Sequence, residues 1–427
     1  MPAVRGARWA ALLALLLAGA PIDAGRPAEA GGPTGGQEPC PEISRLQVPG
    51  AERQQAACLA DLTTAGTTRT GHTDQTDWMG LHARGTRNPS GVPGIQVDGY
   101  FPDTSTFNSY RGWFHDAQFV LRLPDRWNGK LVVTGAPGVR RQYANDFIIS
   151  DWVLSRGYAY ASTDKGNSGT SFYRDGVRPG DAVAEWHQRV TELTLAAKQV
   201  VAQRYGKPPG RTYLTGISNG GYLTRWFLWA DHYTVYWDLT QRIFREEFDP
   251  EYDGALQAGI PFCPSGTPSC DADYVYADRP AEVKAAVGRV SLTGAIGRPM
   301  LTLHGTLDAL LPVRTDSDVY AGMVTGQGRA GLHRYYVVQD GNHVDGRYDD
   351  YSDRLRPILP CYRAAFVGLE RWVEQGQAPT PSGRVPRPAT GDVVNQCSLP
   401  GSPDEDQPDR GPRDEGQPGV GRSPLGP

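Results

Sequence analysis

Three side chains that could share one proton stand far apart in this chain, each just after an apolar run. Ser218 lies in Gly216-Ile217-Ser218-Asn219-Gly220, behind the run 211–215 and ahead of a helix-like stretch, 221–229. A strand, a glycine-flanked serine and a helix make a nucleophile elbow. The serine is expected in a strained backbone conformation that exposes its hydroxyl, with glycines two residues either side because a side chain there would collide with neighbouring elements. A free serine hydroxyl is a poor nucleophile at neutral pH and needs a base. The run 300–304 leads into Gly305-Thr306-Leu307-Asp308, and the run 335–338 leads into Gln339-Asp340-Gly341-Asn342-His343. His343 is the candidate base and Asp308 the candidate acid that orients its ring. One aspartate after a strand is ordinarily a cap or turn residue, and one histidine a surface or core residue. Three of them in this order, each in such a loop, favour a catalytic triad.

An oxyanion needs backbone N–H donors. Asn219, next after the serine, is the first candidate. The loop Thr134-Gly135-Ala136-Pro137-Gly138 offers Ala136 as the second, since Pro137 has no N–H. A plain glycine-rich turn is the competing reading there. His304, His187, His115, Asp164 and Asp340 are weaker choices: His304 as a residue packed against the site, Asp164 as a pocket liner, Asp340 as a shaper of the histidine loop. The sequence contains no H-E-x-x-H, paired C-x-x-C or P-loop, so no metal or cofactor is expected. The acidic run Asp345, Asp349 and Asp350 reads as a solvated loop ahead of a calcium site.

The elements that must position these residues follow from periodicity. Short strands are expected at 95–97, 118–123, 130–134 and 158–163, with 118–123 and 130–134 forming a hairpin through Asn128-Gly129. A helix is expected over 147–156. The longest helix is expected over 181–205, where Val183, Trp186, Val190, Leu193 and Ala197 recur at helical spacing and Gly206 stops it. Further strands are expected at 255–260, 300–304 and 335–338, then a last helix at 360–375. Residues 40–90 show little periodicity. A hairpin followed by alternating strands and helices predicts an α/β domain with a mostly parallel central sheet and helices on both faces.

The ends read differently. Arg5 and Arg8 precede a short apolar run and small residues, so 1–30 reads as a secretory signal peptide, too short for the roughly 20 residues of a membrane span. Residues 398–427 are rich in proline, glycine and charge and read as a disordered tail after a domain at 40–397. Net charge is −4 with no basic cluster, which argues against nucleic acid as a partner. No stable membrane insertion is expected, and the product is expected to be secreted.

With these motifs in view, the chain resembles the α/β-hydrolase superfamily of serine esterases. Gly216 to Tyr222, Leu303-His304-Gly305-Thr306-Leu307-Asp308 and Gly341-Asn342-His343 are similar to secreted bacterial hydrolases of the tannase/feruloyl-esterase-like and 3-hydroxybutyrate oligomer hydrolase kinds. The resemblance implies cofactor-free hydrolysis of a small-molecule or oligomeric ester through an acyl-enzyme. Tannase-like enzymes clamp serine and histidine through a disulfide between residues beside each. Here those neighbours are Ile217 and Asn342 or Val344, so the clamp is absent. A lid insertion is implied at about 230–296, with Tyr236 and Trp237 as substrate contacts; aromatics filling a core under a helix are the alternative. The segment reads as a shortened version of that insertion. A peptidase on the same fold and a catalytically silent binding protein are the other functional readings.

Six cysteines in an exported chain suggest disulfides. Proximity favours Cys40–Cys58, Cys263–Cys270 and Cys361–Cys397. Peptide mapping of the native protein without reduction is expected to recover these three pairs. Alkylation of any cysteine before reduction would contradict them.

Overall fold

The computed structural model describes residues 43–172, 175–218, 242–252, 274–308 and 310–400. The first elements are β1 (Arg53–Leu59), α1 (Thr64–Thr70), α2 (Gln75–Trp78), β2 (Gly94–Tyr100), β3 (Gln118–Pro124) and β4 (Lys130–Gly135). Then come α3 (Asp151–Ser155), β5 (Ala159–Thr163), α4 (Asp181–Tyr205), β6 (Arg211–Leu214), α5 (Ile243–Phe248) and α6 (Ala281–Val290). The last are β7 (Met300–Gly305), α7 (Ser317–Gly326), β8 (His333–Val338), α8 (Leu359–Gln375) and β9 (Gly383–Val385). This is the α/β class expected from the sequence.

Six strands form one sheet in the order β1-β2-β3-β5-β4-β6, and three form another in the order β7-β8-β9. In the larger sheet β1–β2, β2–β3 and β3–β5 pair antiparallel while β4 runs parallel to β5 and β6. That sheet is therefore mixed and not mostly parallel as expected, because β5 takes the place beside β3; the smaller sheet is parallel throughout. Parallel strands end on the same edge, which is why the loops after β4, β5 and β6 emerge together. The run 255–260 lies outside the described residues.

The Asn128-Gly129 hairpin does not form. β5 lies between β3 and β4, and β3 makes its hairpin with β2 instead. Asn128 spends its hydrogen bonds elsewhere. Its backbone N–H donates to Gly157 O at 2.8 Å and its Nδ2 to Arg156 O at 2.8 Å, docking the turn that leads into β5. A two-residue Asn-Gly signal says that the chain turns, but the partner strand is chosen by burial.

Both faces of the larger sheet are covered. Phe119, Leu121, Leu131, Val133, Ala159 and Ala161 face α4, where Leu193, Ala197, Val200 and Val201 complete one core. Val120, Val132, Tyr158 and Tyr160 face the other way, toward α3 and Phe366 of α8. Strand alternation is thus apolar on both sides, as buried strands require. A third cluster joins Tyr336 and Val338 to Ala365 and Leu399 around the Cys361–Cys397 disulfide, whose Cα atoms are 4.9 Å apart. Leu399 is buried there, so packing continues past the expected start of the tail at 398. Cys58 is also disulfide-bonded; Cys40, Cys263 and Cys270 lie outside the described residues, as do 1–42 and 401–427. Among the described residues, no helix is long and apolar enough to cross a membrane.

Part of the expected lid is core. Ile243 and Phe244 pack with Phe172, Val183 and Trp186, and Glu247 accepts the Val183 N–H at 3.2 Å near the start of α4. For Phe244 the aromatic spacing therefore marks packing.

One polar knot crosses the second face. The fully buried Arg122 donates to Asp146 at 2.6 Å, Gln96 at 2.9 Å and Ser150 at 3.0 Å. Removing one partner of such a pair leaves a buried charge unanswered, at roughly 3–5 kcal/mol. Urea denaturation should show a loss of that order for Arg122→Met, with much of it recovered by adding Asp146→Leu. A single variant as stable as wild type would show that the knot is not holding this face.

Candidate active site

Two parallel strands that end together bring acid and base into one place. β7 and β8 pair from Met300↔His333 to Gly305↔Val338, so the loops after them leave side by side. Thr306 N donates to Val338 O at 2.9 Å, Leu307 N to Gly341 O at 2.9 Å, and Asp340 N to Thr306 Oγ1 at 2.8 Å. The contact demands glycine. A Cβ on Gly305 would stand 2.1 Å from Gly341 O, and one on Gly341 would stand 2.8 Å from the Ile358 side chain. Asp340 takes a left-handed φ of 60° to turn the chain toward His343.

Asp308 and His343 meet across these loops. His343 Nδ1 is 3.3 Å from Asp308 Oδ2, while Asp308 Oδ1 accepts the Leu310 N–H at 3.0 Å. A carboxylate only accepts, so this contact assigns the proton to Nδ1 and leaves Nε2 as the acceptor. Burial pushes the Asp308 carboxyl above its ordinary range, and the hydrogen bond and charge of His343, with the charge of His304, pull it back.

Ser218 reaches this pair from the end of β6. Its φ is 59°, a conformation rare outside glycine, and its exposed Oγ is hydrogen-bonded to His343 Nε2. The strain is where the sequence placed it. The crowding expected at Gly216 is not: a Cβ there would meet Thr134 Oγ1 at 3.9 Å, an ordinary contact. Gly220 lies outside the described residues. Thr215 Oγ1, three residues before the serine, lies 2.6 Å from Tyr362 Oη and ties this edge to α8.

Ala136 is not available as an oxyanion donor. Its N–H donates to Thr163 O at 2.9 Å, extending the β4–β5 ladder by one rung. Asn219, Tyr236 and Trp237 lie outside the described residues. Asp164 is not among the residues lining the cavity beside Ser218; it is buried and accepts from Asn108 Nδ2, Gln118 N and Gly166 N at 2.8–3.0 Å. His187 is exposed on α4, and His115 stacks on Tyr100. Asp345 and Asp349 are occupied by backbone amides. Asp345 accepts from Ile358 and Leu359 at the start of α8, and Asp349 from Arg84. Among the described residues, no group of side chains is suited to a metal.

The sequence reading missed the supports of the loop after β4. Lys165, buried and left-handed at φ 74°, donates from Nζ to Ala136 O at 2.7 Å and Gly138 O at 3.0 Å. From the other side Asp77 accepts the N–H groups of Arg141 and Tyr143, both at 2.9 Å. Burial pulls the lysine down to about 8 and pushes Asp77 up to about 6. Asp164-Lys165-Gly166 at a strand end was the only available signal, and it points to a turn as readily as to a brace. Beside the three side chains lies a cavity of about 620 Å³, whose lining includes Ile217, Leu303, Leu359, Tyr362 and Phe366.

Residues 113–233 match the family described as tannase and feruloyl esterase. A mono(2-hydroxyethyl) terephthalate hydrolase of Piscinibacter sakaiensis is 28% identical over 125 residues, covering 26% of this chain and 20% of that protein. A D-(-)-3-hydroxybutyrate oligomer hydrolase of Cupriavidus pinatubonensis is 29% identical over 123 residues, covering 28% of this chain and 17% of that protein. The matched stretch thus spans at most a fifth of the length of these relatives. The solved structure of an esterase from Aspergillus oryzae covers 79% of this chain and 89% of its own, with 11% identity and a TM-score of 0.47.

Asp345 gives this edge a measurable pH signature. Burial pushes its carboxyl up to about 6, above an unfolded value of about 3.9. The folded state therefore binds the proton more tightly, and this group's contribution to stability is largest below about pH 4 and fades as pH rises through about 6. Thermal melts of Asp345→Asn from pH 4 to 7 should show a flatter pH dependence than wild type. Parallel curves would exclude Asp345 as the titrating cap.

Proposed function

We propose that this chain is a serine hydrolase that cleaves carboxylic esters through an acyl-enzyme. The observation that carries the reading is the relay Ser218–His343–Asp308, assembled from three loops with the serine in a left-handed conformation. The family match over 113–233 and the ester hydrolases among the relatives support it.

His343 Nε2 takes the Ser218 proton as Oγ attacks the ester carbonyl. Our choice of donor to the tetrahedral oxyanion is the N–H of Asn219, the residue that follows the serine in sequence. Asp308 holds the ring in the required tautomer and stabilises the imidazolium that forms. Collapse expels the alcohol, which takes the proton from Nε2, and leaves the acyl group on Ser218. Water then repeats the sequence with His343 as base, releasing the acid and restoring the serine.

The relatives' names point to aromatic acid esters and short hydroxyacid oligomers as substrates. Tyr236 and Trp237 in the segment 230–296 are our choice for contacts with the apolar part of such an ester. The charged and apolar start of the chain, with its disulfides, supports export to the extracellular space.

Steady-state kinetics on p-nitrophenyl butyrate, an alkyl ester of an aromatic acid and a hydroxybutyrate dimer ester test the reading. Ser218→Ala and His343→Ala should each lower kcat by roughly 10⁴-fold or more, and the double change by little beyond that, because triad members act as a unit. A folded Ser218→Ala protein with near wild-type turnover would end the proposal.

A further inference from the structure

A second imidazole stands on the catalytic acid. His304, the last residue but one of β7, is buried at 5% exposure, and its Nε2 is 3.3 Å from Asp308 Oδ2, the oxygen that also faces His343 Nδ1. The same Nε2 lies 3.2 Å from Leu311 O. A carboxylate and a backbone carbonyl have no proton to give, so these neighbours assign the Nε2 proton. The ring is held from behind as well. Nδ1 lies 2.5 Å from Ser317 Oγ at the start of α7 and 3.7 Å from Asp316 Oδ1.

We infer that His304 is a positioning residue for Asp308, fixing the carboxylate in the rotamer that meets His343. This rests on the ester-hydrolase reading above. The Nε2 nitrogen is hydrogen-bonded to Leu311 O and stands 3.3 Å from Asp308 Oδ2, so the ring bridges the turn that carries the acid, and the Leu310 N–H closes the same turn from inside. Asp308 Oδ1 is thereby committed to the turn while Oδ2 faces two ring nitrogens. Without His304, Oδ2 would keep only His343 as a neighbour that favours its charge. Burial would then hold the carboxyl protonated to higher pH. A protonated or rotated Asp308 can no longer fix the His343 tautomer.

The groups that face this ring come from every side: Asp308 from its own loop, Ser317 and Asp316 from the start of α7, and His343 beyond Asp308 from the loop after β8. A histidine that merely filled the space under α7 would affect melting temperature and leave the ionisation of the active site untouched.

The test uses the full-length protein and p-nitrophenyl butyrate. His304→Phe keeps a ring without donors; His304→Gln returns an N–H near the position of Nε2. We expect His304→Phe to lower kcat roughly tenfold to a hundredfold with KM little changed, as a displaced catalytic group does. The acid limb of kcat/KM should move to higher pH, and His304→Gln should recover most of both effects. Ser317→Ala frees the far side of the ring without emptying the core and should move the acid limb the same way, which keeps the test decisive if His304→Phe does not fold. An acid limb at its wild-type position in the folded variants, or equal losses in Phe and Gln with no pH shift, would overturn the inference. Wild type and Ser218→Ala are assayed alongside. If these two do not differ, the ester-hydrolase reading fails and takes this inference with it; if they differ and the His304 variants behave as wild type, this inference alone fails.

Discussion

The approach of Gly305 to Gly341 is the constraint on which the site depends. Strands β7 and β8 run parallel and in register, but parallel pairing alone only makes their loops neighbours. For a carboxylate and an imidazole to reach hydrogen-bond distance, the two backbones must touch, and a Cβ at either glycine would push them apart. The hydrogen bonds from the Thr306 N–H to Val338 O at the end of β8 and from the Leu307 N–H to Gly341 O in the histidine loop then fix the separation. Everything proposed about proton transfer presumes this contact. The serine is brought to it by a different sheet, at the end of β6, with its own strained residue to aim the hydroxyl.

Burial makes these contacts strong and also makes them expensive to ionise. Asp308, Asp77 and Asp345 are all pushed up by desolvation, and Lys165 is pulled down. Each is answered locally. Asp77 takes two backbone N–H groups, Asp345 takes two at the start of α8, Lys165 caps two carbonyls, and Asp308 lies between two histidines. Three of the four hold the backbone of loops or helix starts around the triad. In the proposed reaction, loops already ordered in this way need no large rearrangement when charge develops.

Periodicity and chain order were enough to read the strands at the site, the long helix α4, and the three side chains that meet there, Ser218, His343 and Asp308. Those features are local: an apolar run with a polar residue beyond it is written in consecutive positions. What escaped was set by pairing across the chain. The Asn128-Gly129 signal was real as a turn, yet β5 took the place beside β3. Ala136 has the right residue type and loop, but its N–H was already needed by Thr163. The braces Lys165 and Asp77 lie 29 and 64 residues from the backbone groups they hold, and no spacing rule relates them. His304 was read as packed against the site; its place on the acid depends on how the turn after β7 folds back over its own strand.

The central claim is that Ser218 is a nucleophile activated by His343. Its most direct test is covalent trapping. The protein is treated with a fluorophosphonate, and the adduct is located by peptide mass mapping in wild type and in His343→Gln. The account predicts one adduct per chain on the peptide carrying Ser218, and its loss or marked slowing in the variant. An unmodified wild-type serine in folded protein, an adduct at another residue, or equal labelling with and without His343 would contradict it.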